Sequence, residues 1–443
     1  MKDITFRNSM KYGDLTTKLS LLILGLGNFR GRQIIKGILY IALEAAFIIF
    51  MIIKGISCLA GLPGLGSREQ EEIWNEKLGI YEYVQGDNSL LILLYGITVI
   101  FIICAYIILA VSSLKSAYNV ELRMKQGKHI NTFVEDIKAL FNENLHKLLL
   151  VTGILVFTIL PLVFMISMAF TSYSKVDSHL VLFDWVGLEN FKLIFNSGSS
   201  IGQSFWSVFG WTIIWAVLAT FLNYILGILV ALLINRKGTK FKSFWRFIFI
   251  LSIAIPQFVS LLIIRSMLAQ DGIINVVLKN AGWISKSLPF FTNATWARMT
   301  VIIVNLWIGI PYTILQVTGI LQNIPMELYE AADVDGANGF VKFFKITMPY
   351  MLFVTTPYLI TTFTANVNNF NIVYLLTKGD PVLAGHTAGK TDLLVTWLYK
   401  MTVDYQYYNL GAVIGIMTFV FLALGSLLVY RRTKSYKDEE GFQ

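Results

Sequence analysis

Polar residues in this chain are gathered into short segments, and the stretches between them are almost wholly apolar. Apolar runs lie near residues 36–54, 89–111, 148–170, 205–234, 245–267, 299–321, 350–376 and 408–430. A helix needs ~20 such residues to cross a bilayer's hydrocarbon core. A helix also satisfies its own backbone hydrogen bonds there, so runs of this length predict helices. The pattern predicts an all-α integral membrane protein with eight transmembrane helices. The run 205–234 is long enough to tilt or to project from the bilayer. A secretory signal would begin earlier than residue 36 and end in a small-residue cleavage site, so the first run reads as a retained anchor.

Composition agrees. Of 443 residues, 56% are hydrophobic and only 14% charged, against ~25% charged in a typical soluble domain. A net charge of +9 would suggest nucleic acid in a soluble protein, but here the cations sit between apolar runs, where they act as orientation signals. No nucleic-acid partner is expected. Cys104 lies inside a run, Cys58 lies just past one, and the four histidines are scattered. Neither a disulfide framework nor a metal site is expected.

Orientation follows from where the cations fall. Segment 112–147 carries Lys115, Arg123, Lys125, Lys128, Lys138 and Lys147; segment 235–244 carries Arg236, Lys237, Lys240 and Lys242. The N-terminal segment has Lys2, Arg7, Lys11, Lys18, Arg30 and Arg32, and the tail has Arg431, Arg432, Lys434 and Lys437. Alternate loops are poorer in cations, and the loop after the first run is acidic, with Glu69, Glu71, Glu72 and Glu76. Basic loops stay inside, which puts both termini in the cytoplasm. An even number of spans agrees.

The stretch "AGHTAGKT" (384–391) partly matches a phosphate-binding loop, through Gly389, Lys390 and Thr391. That motif needs a Gly where Ala384 stands, and a strand before it and a helix after it. By the orientation above the stretch is also outside the cell, so no nucleotide site is expected in this chain. No catalytic residue is assigned.

One inner loop breaks the basic pattern: "NIPMELYEAADVDGANGFVKFFKITMPY", residues 323–350. Pro325 suits a helix start, Glu327 and Glu330 favour the positive end of its dipole, and Gly336 suits a left-handed end. A helix over 325–335 is predicted, followed by a second helical piece and by Pro349 at the entry to the seventh span. An acidic helix with the small residues Ala331 and Ala332 fits a groove on a partner. It equally fits an interfacial hairpin that only joins two spans.

Two polar stripes lie at membrane depth, where such side chains line cavities or pair with one another. Asn305, Gly309 and Tyr312 share one helix face, as do Thr362, Asn366 and Asn369. Asparagine both donates and accepts, as a sugar hydroxyl requires. Interhelical hydrogen bonding, with Gly309 as a close-packing point, explains the same pattern. Glu44 in the first span reads as a paired carboxylate, and Arg265 as a snorkelling cation.

"EAADVDGA" followed by "FFKITMP" resembles the coupling loop of ABC importer permeases, with Glu330, Ala331, Ala332, Gly336, Ile346 and Pro349 matching. "WVGLENFKLIF" (185–195), "NLWIGIPY" (305–312), "TFTANVNNF" (362–370) and "TDLLVTWLYKMT" (391–402) also resemble segments of that family's maltose/maltodextrin branch. The two extra N-terminal spans and "GLGNFRGRQ" (25–33) are similar to its larger permease subunit. The resemblance implies a six-span permease core over 148–430, with a coupling loop at 323–349. An accessory two-span region (36–147), a cytoplasmic segment (1–35) and a tail (431–443) flank it. It implies sugar contacts from Asn305, Gly309, Tyr312, Thr362, Asn366, Asn369 and Gln257. Coupling to an ATPase falls to Glu330, Ala331, Ala332, Asp335 and Gly336. Ile253 and Gln257 stand where the maltose-type relative has Tyr and Ser.

The resemblance further implies a multi-pass subunit of the bacterial cell membrane that takes up an oligosaccharide, foremost maltose or maltodextrins. Its expected partners are a second permease subunit, a cytoplasmic ATPase dimer, an external sugar-binding protein and membrane lipid. ATP and Mg act on the ATPase, and no cofactor belongs to this chain. The alternatives are an importer of galacto- or xylo-oligosaccharides, and an ion-coupled sugar carrier. The latter normally shows internal repeats and a membrane carboxylate, for which only Glu44 is a candidate.

Overall fold

The computed structural model describes residues 4–76, 79–139, 141–142, 145–175, 181–236 and 238–432. Lys2, Lys237, Lys434, Lys437 and the tail beyond Arg432 lie outside them. The chain divides into two compact units, Met1–Gly187 and Leu188–Gln443. The third apolar run, 148–170, falls in the first unit.

The first unit opens with three short helices, α1 (Phe6–Tyr12), α2 (Leu15–Leu19) and α3 (Leu26–Arg30). Thr5 and Asp14 cap α1 and α2 by accepting the N–H groups of Asn8 and Thr17, which would otherwise be unpaired. Helix α4 (Ile34–Gly61) follows, and almost none of its apolar surface is buried by the chain. Next come strands β1 (Glu71–Asn75) and β2 (Ile80–Val84), then helices α5 (Ser89–Lys125), α6 (Phe133–Ala139) and α7 (Leu149–Met168). Glu44 is paired: its carboxylate accepts the Leu24 N–H at 2.9 Å and the Tyr106 hydroxyl at 3.3 Å.

The fold is helical as expected; strands β1 and β2 add one antiparallel hairpin in a loop, with Trp74 opposite Tyr81. Ile73, Trp74, Ile80, Tyr81, Tyr83 and Val84 have the side chains that favour a pleated surface, and Gly79 (φ +63°) makes the turn. Acidic charge dominates the composition of this loop and hides that pattern.

The second unit contains α8 (Glu189–Phe195), α9 (Ser200–Asn235), α10 (Lys242–Ala254), α11 (Gln257–Met267), α12 (Ile273–Asn280) and α13 (Ala294–Gln322). It continues with α14 (Met326–Val334), α15 (Gly339–Lys342), α16 (Met348–Val367), α17 (Phe370–Leu376), α18 (Leu394–Tyr399) and α19 (Tyr408–Arg432). Among the described residues, six helices are long and apolar enough to cross a membrane, or seven if the bent pair α10–α11 is one span. That pair turns through 88° at Ile255–Pro256. The residue before a proline is pushed out of the helical region, and Ile255 is extended (φ −79°, ψ 127°). The run expected at 350–376 is α16 plus α17, interrupted at Asn368–Asn369. Its threonines, prolines and asparagines lower its hydropathy.

Helix α9 is the spine of this unit and packs along α13 and α16. Two hydrophobic clusters form on these helices. One holds Trp211, Trp215, Ala219, Val304 and Val367; the other holds Tyr224, Ile228, Ile314, Val317 and Leu359. Along all three helices, polar side chains separate the two clusters.

Candidate functional site

The polar layer between the clusters comes from Thr220 and Asn223 on α9, Asn305 on α13 and Asn366 on α16. All four are buried. Asn366 Nδ2 donates to Thr220 Oγ1 at 3.0 Å, and Trp215 Nε1 donates to the Asn366 carbonyl at 3.0 Å. Asn223 Nδ2 donates to the Ala219 carbonyl at 2.7 Å. Asn223 Oδ1 and Asn305 Nδ2, one acceptor and one donor, have no partner among the described residues. A buried polar atom left unpaired costs ~1–3 kcal/mol, so both are suited to a hydroxyl that can accept and donate.

Glycine allows this layer to close. A β-carbon at Gly309 would meet the Asn223 amide at 2.3–2.7 Å, and one at Gly227 would meet Thr313 at 2.5 Å. Gly309→Val is therefore expected to destabilise the α9–α13 seam by ~1–3 kcal/mol, the usual cost of overpacking. Thermal unfolding of the purified protein measures this, and an unchanged midpoint would show that the seam is loose.

The residues expected to contact sugar do not form one open cavity in this structure. Asn305, Gly309 and Asn366 belong to the closed layer. Tyr312, half-exposed, lines a separate pocket of about 360 Å³ with Ile253, Gln257, Ser260 and Trp307. The α10–α11 bend forms its other wall, and its volume lies within the ~300–1,000 Å³ common for small-ligand sites. Thr362 is half-buried on α16, and Asn369 caps α17, its Oδ1 accepting the Ile372 N–H at 3.4 Å. Trp307, Thr220 and Asn223 were missed from sequence. Asn223 carried a usable signal, an amide within the apolar run 205–234.

The loop 323–350 is built as its sequence suggests, with small shifts. Pro325 precedes α14 rather than opening it. Gly336 is left-handed (φ +74°). The Ala337 N–H donates to the Ala332 carbonyl at 2.8 Å and the Gly336 N–H to the Asp333 carbonyl at 3.1 Å, which completes a Schellman end. Tyr329 reaches inward, its hydroxyl 2.9 Å from the Thr347 hydroxyl. Glu330, Ala331, Asp335 and Gly336 are exposed and Ala332 is half-buried. Helix α15 continues through a π-helical turn, Phe343–Thr347, into α16, so unbroken helix joins the loop to the residues around Asn366.

"AGHTAGKT" has no free phosphate cradle. The Gly389 N–H donates to Asp392 Oδ2 at 2.7 Å and the Lys390 N–H to the Pro381 carbonyl at 2.9 Å. Arg298 Nε donates to the Lys390 carbonyl at 2.8 Å. Asp392 is fully buried and paired with Lys400 at 2.6 Å. Burial pushes the Asp392 carboxyl up, while the Lys400 ammonium and the N–H of Gly389 pull the other way. The stretch is a folded brace across α9, α13 and α18. Among the described residues no group of three His, Cys, Asp or Glu side chains could hold a metal.

Comparison with known proteins adds to this geometry. Residues 223–435 match the family described as "Binding-protein-dependent transport system inner membrane component". The chain is 35% identical over 438 residues to the galactooligosaccharides transport system permease protein GanP of Bacillus subtilis, covering 97% of this chain and all of that one. It is 32% identical to the maltodextrin transport system permease protein MdxF of Bacillus subtilis, over 95% of each chain. The maltose/maltodextrin transport system permease protein MalF of Klebsiella aerogenes is 38% identical over 250 residues, covering 55% of this chain and 48% of that one. A solved bacterial ABC transporter involved in import of the acidic polysaccharide alginate shares the fold, with a TM-score of 0.52 at 23% identity. That match covers 68% of this chain and 98% of the other.

Proposed function

The chain belongs to the permease subunits of binding-protein-dependent ABC importers, and from that premise we propose that it forms half of an oligosaccharide path through the bacterial membrane. It is a transport subunit, not an enzyme; ATP and Mg act on a separate ATPase dimer, and no cofactor resides here. A second permease subunit completes the path, and an external binding protein delivers the sugar. Both termini lie in the cytoplasm, following the distribution of cations. The observation that carries the sugar path is the pair of amide atoms Asn223 Oδ1 and Asn305 Nδ2, unpartnered among the described residues and buried between two apolar clusters.

In the conducting state the Asn305, Thr362, Asn366 and Asn369 side chains meet sugar hydroxyls. Gly309 leaves room, and the Tyr312 ring covers a sugar face beside Gln257. Glu330, Ala331, Ala332, Asp335 and Gly336 dock on the ATPase. Maltodextrins are the expected cargo; the 35% identity to a galactooligosaccharide permease favours galactooligosaccharides as the second reading. A glycan panel presented to the assembled importer with its binding protein separates the two. Structure determination with the preferred glycan tests the site itself. Sugar density is expected against Asn305, Tyr312 and Asn366, and density elsewhere would remove them from the path.

A further inference from the structure

The three helices ahead of the first span have one face that is fixed and one that is bare. The fixed face packs on α5. Buried Glu121 accepts the Asp14 N–H at 2.9 Å and the Thr17 hydroxyl at 2.8 Å. Ser113 accepts the Gly25 N–H at 2.8 Å and donates to the Ser20 carbonyl at 2.9 Å. The segment is therefore an ordered platform. Its other face is apolar and open to solvent: Leu15 is 73% exposed, Leu22 71% and Ile23 49%. Phe6 and Met10, also exposed, stand one turn apart on α1, with Arg7 and Lys11 on the adjoining stripe.

Two features identify what covers this face. Between residues 4 and 36 there are six cations (Arg7, Lys11, Lys18, Arg30, Arg32, Lys36) and one acid, Asp14. Asp14 pairs with Arg30, and Lys36 pairs with Asp136. Arg7, Lys11, Lys18 and Arg32 have no carboxylate partner among the described residues. Ile34, Ile35 and Ile38, at the start of α4 and next in the chain, are exposed as well, on a span that the bilayer covers. Exposed apolar residues beside cations mark segments that lie in an anionic membrane interface. Protein interfaces instead deplete lysine.

We propose that residues 4–32 bind the anionic headgroups of the membrane. Leu15, Leu22 and Ile23 enter the interfacial layer, and Arg7, Lys11, Lys18 and Arg32 sit on headgroup phosphates. Glu121 and Ser113 hold the platform at the end of α5. This surface is independent of which sugar is carried.

The test places an environment-sensitive dye at Leu22→Cys in full-length protein carrying Cys58→Ser and Cys104→Ser, with Gln126→Cys as the solvent-exposed control. The protein is measured both alone and with its partner subunits in nanodiscs of phosphatidylcholine alone or mixed with phosphatidylglycerol. The Leu22 probe is expected to shift to the blue and to be quenched by spin-labelled lipid when phosphatidylglycerol is present. High salt should reverse much of this, because surface charge is screened within a few ångströms at molar salt. Arg7→Gln/Lys11→Gln/Lys18→Gln/Arg32→Gln should remove most of the phosphatidylglycerol-dependent quenching. Three results would overturn the proposal: a probe as solvated as the Gln126 control in both lipids, quenching equal in both lipids and unmoved by the four substitutions, or shielding that requires the partner subunits and ignores lipid.

Discussion

Glu330→Lys is expected to abolish ATP-driven uptake while leaving the chain inserted and folded. Glu330 is exposed on α14, so the substitution removes nothing from the core. It reverses the charge of the face that, in the proposed assembly, docks on the ATPase. Gly336→Pro should have the same outcome by another route. Gly336 sits at φ +74°, and its N–H donates to the Asp333 carbonyl. Proline has no N–H and is locked near φ −65°, so the Schellman end cannot form and α14 loses its angle to α15. Under the proposed coupling, the π turn at Phe343–Thr347 then has no defined α14 from which to carry movement to α16. Losing a required docking contact typically costs several kcal/mol, and each ~1.4 kcal/mol is tenfold. Uptake should fall at least ~100-fold. Normal uptake by either variant, with unchanged assembly, would remove α14 from coupling.

Lys400→Met is expected to produce the largest loss of stability. Lys400 and Asp392 form an ion pair in which the Asp392 side chain is 0% exposed and that of Lys400 is 11%. Removing one partner leaves a buried charge uncompensated, which costs ~3–5 kcal/mol. For a unit of this size that is a fall in the melting temperature on the order of 10 °C. Replacing both, as Asp392→Leu/Lys400→Met, should recover much of the loss, since an apolar pair of similar volume is often neutral. The recovery will be incomplete, because Asp392 also accepts from the Gly389 N–H and the Thr396 hydroxyl. Thermal unfolding of the two variants distinguishes an ion pair from simple packing: equal losses would show that charge is not the cause.

Much of this was legible in the sequence. The apolar runs located the long helices because lipid imposes a single length rule. Gly336 announced its left-handed turn because few other residues adopt it cheaply. Other features depend on partners that sequence spacing does not reveal. Asn305 and Tyr312 share a helix face, yet one is buried against α9 and the other lines a pocket made by the α10–α11 bend. Gly309 as a contact for Asn223 is visible only when α9 and α13 are placed together. The hairpin at β1–β2 was hidden because its glutamates outweighed its aromatic and branched residues.

The central claim is that this chain lines an ATP-powered sugar path rather than an ion-coupled one. The most direct measurement is uptake of labelled oligosaccharide by proteoliposomes containing the complete importer and its binding protein. Uptake is expected only with internal ATP. It should fall roughly tenfold or more in Asn366→Ala and Tyr312→Ala, since each lost contact in a dry site costs ~1–3 kcal/mol at ~1.4 kcal/mol per decade. Uptake driven by a proton or sodium gradient without ATP, or undiminished in both variants, would contradict it.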